Sequence, residues 1–124
     1  MSNMFQDVKD FQTAVGQNVG TKPEFPSPAE RILRMKLLKE EFDEYNEGET
    51  NNDLENIAKE LADIIYIVCG TAVSYGIPLD RVFDEVHRSN MAKLVDGKPI
   101  RRDDGKILKP EGWTPPDVKK ILYP

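Results

Sequence analysis

Apolar residues in the first three quarters of the chain recur at three- and four-residue intervals, and no segment before residue 95 alternates as a strand would. Met4, Phe5, Val8, Phe11 and Val15 share one side of a helix over Met4 to Val15, with Gly16 as its end. Gly20 to Pro28 holds three prolines and reads as an extended linker. Ser27-Pro28, a cap residue followed by proline at the first helical position, starts a second helix through RILRMKLLKEEFDEYNEG, stopping near Gly48. Asn52 and Glu55 have the spacing of a capping box for a third helix, from about Asp53 to Tyr75. Gly76 and Pro78 stop that helix and start a fourth, Pro78 to about Leu94, with Leu79, Val82, Phe83 and Val86 on one face. Long helices joined by short loops predict an all-α, four-helix bundle-like fold. At 124 residues the chain reads as a single domain, with a helical core over about 1–94 and an arm over about 95–124.

The character changes after Leu94. Asp96-Gly97 and Asp104-Gly105 are turn signals, and KPIRRDDGKILK reads as a small hairpin around Asp104-Gly105 or as an irregular arm. The stretch Glu111 to Pro124 is proline-rich, with a short helix from Asp117. Trp113 is the residue expected to anchor this tail, on the bundle or on a second subunit.

Against this pattern, four carboxylates stand where apolar residues belong. At ~100° per position, Leu33, Leu37, Leu38 and Tyr45 form the apolar arc of the second helix, Glu41 falls inside it and Glu44 lies beside Leu37. Glu41 and Glu44 are three apart and point the same way. The third helix repeats the spacing with Glu60 and Asp63, and from Leu61 it is apolar on nearly all sides. Asp63 is the only formal charge between Leu61 and Leu79, so it is expected to be buried and to need a cation. An oxygen-only donor set without His or Cys suits magnesium, or manganese in its place. Asp43, Glu47, Glu49 and Glu55 read as a solvated acidic face, and Glu40 is ambiguous.

Charge adds a second feature. The chain carries 39% apolar and 31% charged residues and a net charge of −5, a balance that disfavours a nucleic-acid or anionic-membrane surface. Between Lys93 and Lys109, however, six basic residues face three acidic ones, leaving that segment at +3 and the rest at −8. Such a local patch suits a compact polyphosphate better than a long nucleic acid. Asn90 and Lys93 extend the stripe of the fourth helix, and with Lys106 and Lys109 they are the candidate substrate ligands. His87, the only histidine, sits on an exposed flank and reads as a surface or supporting residue. The single cysteine, Cys69, has apolar neighbours and reads as an inert packed thiol. No run is long and uncharged enough for a membrane span, and no signal peptide is visible, so a cytoplasmic setting is expected.

The motifs EEFDEY (Glu40 to Tyr45), KELADIIY (Lys59 to Tyr66) and HRSNMAKL (His87 to Leu94), with DGKPI and DGKILKP in the tail, resemble the MazG-like branch of the all-α nucleoside triphosphate pyrophosphatases. The likeness covers nearly the whole chain. It implies a catalytic metal site of Glu41, Glu44, Glu60 and Asp63, with Asn90 and Lys93 on substrate phosphate or sugar. It also implies release of a nucleoside monophosphate and pyrophosphate, and a homodimer or homotetramer with active sites built across subunits. The same acidic site would serve phosphoribosyl-ATP hydrolysis. A non-catalytic oligomerisation or nucleotide-binding module is the rival from another class.

Overall fold

The computed structural model describes residues 3–124. It is mostly helical, with α1 (Met4–Ala14), α2 (Pro28–Thr50), α3 (Leu54–Tyr75), α4 (Leu79–Met91), β1 (Leu94–Val95), β2 (Lys98–Pro99) and α5 (Val118–Leu122). Two compact units partition the chain, Met1–Leu79 and Asp80–Pro124. No single helix among the described residues is long and apolar enough to cross a membrane.

In the first unit α1 and α2 both pack on α3. Each helix starts on a side-chain cap that satisfies an orphan backbone N–H: Asn3 accepts from Gln6, Ser27 from Glu30 and Asp53 from Asn56. The cap of α3 is thus Asp53, and the Asn52–Glu55 capping box does not form, because Asn52 takes a left-handed turn conformation (φ 51°) just before it. Nor does α2 stop at Gly48. The helix continues to Thr50, and Gly48 is buried where α3 crosses: a Cβ there would meet Asn56 Nδ2 at 2.8 Å and Ile57 Cγ1 at 3.1 Å. That glycine permits close helix approach and does not terminate the helix. Gly76 does end α3, in the left-handed conformation, as its sequence position suggests.

The linker after α1 is tied along the last turn of α3. Gly20 N donates to Val73 O at 2.8 Å and Glu24 N to Tyr75 O at 3.0 Å. The apolar core is small: Val8, Cys69, Ala72 and Val73 are buried. Large apolar side chains remain exposed on α2 (Ile32, Leu33, Met35, Phe42) and α3 (Leu61, Ile65, Val68).

In the second unit α4 ends at Met91, short of Leu94, which instead opens a two-residue antiparallel ladder paired with Pro99. Asp96-Gly97 makes the tight turn, with both residues at positive φ as a type I′ hairpin requires. Around Asp104-Gly105 a second, looser turn carries one antiparallel bridge, Arg101 with Ile107. The short helix from Asp117 forms, capped by the Asp117 side chain on Lys120 N. Trp113 holds the tail to α4, its indole N–H donating to Ser89 O at 2.6 Å.

Candidate metal centre

The helical hairpin α2–α3 runs antiparallel, so positions before Gly48 meet positions after Asn56 in reverse order. This register brings Glu41 of α2 against Glu60 and Asp63 of α3, with one carboxylate oxygen from each within 4.8 Å of the others. Glu44, one turn along α2, is exposed and stands at the edge of the cluster beside Glu60.

The burial differs from that expected from the sequence. Asp63 is not the buried, unpartnered carboxylate: its side chain is 37% exposed and accepts from Lys59 Nζ at 2.7 Å. Glu60 is the buried one, at 2% exposure, accepting from the same Lys59 Nζ at 3.2 Å through one oxygen. Its other oxygen, Oε2, and Glu41 Oε2 are both buried without a donor. Leu61, Ile65 and Val68 carry the outward face of α3, which leaves the Glu60–Asp63 edge to meet α2.

The electrostatics follow from this crowding. Glu41 is pushed up to about 7, first by sharing a proton with Glu60, then by desolvation and by the negative charges of Glu44, Glu60 and Asp63. Glu60 is held below the usual carboxylate range, first because Glu41 donates that proton to it and despite its own burial. Hydrogen bonding to Glu60 raises Glu44. Lys59 is raised, by Asp63 first and Glu60 second. A donor set of carboxylates only, crowded enough that two of them share a proton, fits a hard divalent cation.

In the second unit Lys93 Nζ donates to Asn90 Oδ1 at 3.1 Å, so these two candidate ligands sit together. Lys93 and Lys109 both lie over the Trp113 ring, at 5.7 and 4.8 Å from its centroid. Lys106 is exposed, and its backbone N–H donates to Asp104 Oδ1 at 3.1 Å.

Residues 8–90, more than half of the chain, match the family model of the phosphoribosyl-ATP pyrophosphohydrolases. The chain belongs to this family. Its mostly helical architecture is the all-α pyrophosphatase fold of the wider superfamily, and its chemistry is that of a pyrophosphohydrolase acting on a phosphoanhydride. No curated protein matches the chain significantly. The matched span holds all four acidic residues and Asn90; Lys93, Lys106, Lys109 and Trp113 lie beyond it.

Three residues are not singled out by the sequence pattern: Lys59, which bridges Asp63 and Glu60, and the buried Gln12 and Arg34. Lys59 is legible as a partner from its i,i+4 spacing to Asp63. Gln12 and Arg34, polar residues buried in the first unit, gave a weaker signal, since Arg34 sits in a run of basic and apolar positions that reads as a helix flank.

Proposed function

We propose that the chain is a magnesium-dependent pyrophosphohydrolase of the MazG-like branch that cuts a nucleoside triphosphate between its α- and β-phosphorus, giving a monophosphate and pyrophosphate. The observation that carries this reading is the Glu41–Glu60–Asp63 cluster, three carboxylate oxygens within 4.8 Å of one another, with Glu41 Oε2 and Glu60 Oε2 buried. Glu41, Glu60 and Asp63 would hold the ion, with Glu44 completing the set at the exposed edge. Bound there, magnesium or manganese supplies charge neutralisation for the phosphates and lowers the pKa of water.

The chain's own residues do the rest. Lys59 bridges Asp63 and Glu60, fixing both and offsetting part of the negative charge a polyphosphate would otherwise meet. Water oxygen bonds to the α-phosphorus as the bond from phosphorus to the bridging oxygen breaks. The water proton passes to a carboxylate, Glu40 or Glu41, and the pair of electrons leaves with pyrophosphate. Asn90 with Lys93 and the lysines of the arm, Lys106 and Lys109, are proposed as substrate ligands on the phosphate side.

The family description favours a second reading, in which phosphoribosyl-ATP is the substrate and the same type of bond is cut. Phosphorus NMR on a panel of canonical and modified deoxynucleoside triphosphates plus phosphoribosyl-ATP, each with magnesium, tests both. Expected is pyrophosphate with a monophosphate from at least one triphosphate. Cleavage of phosphoribosyl-ATP alone establishes the second reading. Orthophosphate with a diphosphate contradicts attack at the α-phosphorus, and no turnover on any compound leaves a binding module.

A further inference from the structure

The C-terminal end of α4 leaves carbonyls without helical partners, and the tail supplies one of the missing donors. Arg88 O accepts from Ala92 N and Asn90 O from Lys93 N. Ser89, only 2% exposed, gives its carbonyl to the Trp113 indole N–H. The tail backbone aims the ring. Trp113 N donates to Pro110 O at 3.1 Å, closing a tight turn in which Gly112 takes φ 79°, a conformation that favours glycine. Trp113 is thereby tied at both its backbone and its ring nitrogen.

The ring so placed carries two positive charges. Lys93 directly precedes β1, whereas Lys109 follows the Arg101–Ile107 bridge, yet both ammonium groups lie over the one indole, within 6 Å of its centroid. Neither lysine forms an ion pair among the described residues. Lys93 Nζ donates to the neutral Asn90 amide oxygen, which brings no countercharge. Two cations drawn to one ring repel each other, and the indole quadrupole offsets only part of that repulsion. A polyvalent anion relieves it by bonding to both.

We propose that Trp113 is a positioning residue that gathers Lys93 and Lys109 into a receptor for the pyrophosphate end of the substrate, with Lys109 setting the preference for that end over a single phosphate. The proposal rests on the triphosphate reading of the acidic cluster, and it gives a role to a residue beyond the span that matches the family. Each ammonium offers three donors and no acceptor, the chemistry that meets phosphoryl oxygens as a point charge. Held against one ring, the two lysines have less rotamer freedom to lose when the anion binds. Pyrophosphate carries charge on two phosphoryl groups and can answer both lysines, whereas orthophosphate answers them with one group. The net charge of −5 disfavours a long nucleic acid as the occupant.

Pyrophosphate binding to the full chain in chelator, followed by calorimetry and by the emission of Trp113, the only tryptophan, tests this without turnover. Expected is saturable binding about tenfold tighter than that of orthophosphate or sulfate, with a change in the emission. Lys109→Met is expected to weaken pyrophosphate about tenfold and orthophosphate little. Trp113→Leu removes the ring face and should cost as much, whereas Trp113→Phe keeps an aromatic face and should cost much less. In the double variant Lys109→Met, Trp113→Leu the two losses should fall short of adding, because the ring acts through that lysine. Fully additive losses, equal affinity for sulfate and pyrophosphate, or a Trp113→Phe chain that binds as weakly as Trp113→Leu overturns the proposal. Pyrophosphate bound in the expected way by a chain that cuts no triphosphate contradicts the hydrolase reading and leaves the receptor standing. Turnover of a triphosphate without any pyrophosphate binding in chelator does the reverse.

Discussion

Glu41 carries most of the electrostatic cost of the candidate metal site. In the metal-free folded chain it keeps its proton up to about pH 7, against an ordinary value of 4.5. Folding thus takes up a proton between those values. The stabilisation is complete below pH 4.5 and is lost as pH rises through 7. Glu60 is shifted the other way, so its contribution is lost only on acidification below the ordinary carboxylate range. In chelator, the melting temperature is therefore expected to fall between pH 5 and pH 7.5, and Glu41→Gln should flatten that fall. A wild-type profile that rises over the same interval contradicts the shared-proton pair. The carboxylate positions themselves were legible, because charges at i,i+3 spacing inside an apolar arc have no structural use without a partner. Which of them is buried was not. Apolar neighbours along α3 made Asp63 look enclosed, but enclosure depends on which face meets α2, and that face presents Glu60 while Asp63 reaches Lys59 and solvent.

The α2–α3 hairpin is the element that assembles the site, and glycines set its closeness. At Gly70 of α3 a Cβ would lie 2.5 Å from Gln12 Oε1 and 2.8 Å from Arg34 Nη1. Helix propensity alone predicts that Gly70→Ala stabilises the chain by roughly 0.5–1 kcal/mol. The crowded, buried polar network reverses that sign, and a net loss of about 1–3 kcal/mol is expected in urea unfolding. A more stable Gly70→Ala chain would show that Gln12 and Arg34 rearrange freely. The helices, their caps and the αL end at Gly76 follow from local chemistry and were readable. Gly48 and Leu94 were not, since a close-approach glycine resembles a stop signal, and a two-residue strand leaves no periodicity to detect.

At the level of the molecule, four buried apolar residues among those described are a thin core. Ile32, Leu33, Met35 and Phe42 on α2, with Leu61, Ile65 and Val68 on α3, are exposed in the single chain. Apolar surface of this kind is normally covered by a partner. Light scattering at micromolar concentration is expected to return a dimer or tetramer, and a monomer would contradict this. The apolar breadth of α3 is the sequence feature behind this expectation. The claim on which the rest depends is that Glu41, Glu60 and Asp63 hold a divalent cation. Manganese binding, followed by the loss of the free-ion EPR signal, tests it with no substrate present. Expected is uptake by the wild-type chain, competition by magnesium, and little uptake by Glu60→Gln at unchanged helical circular dichroism. Equal manganese uptake by the folded Glu60→Gln chain would contradict the site.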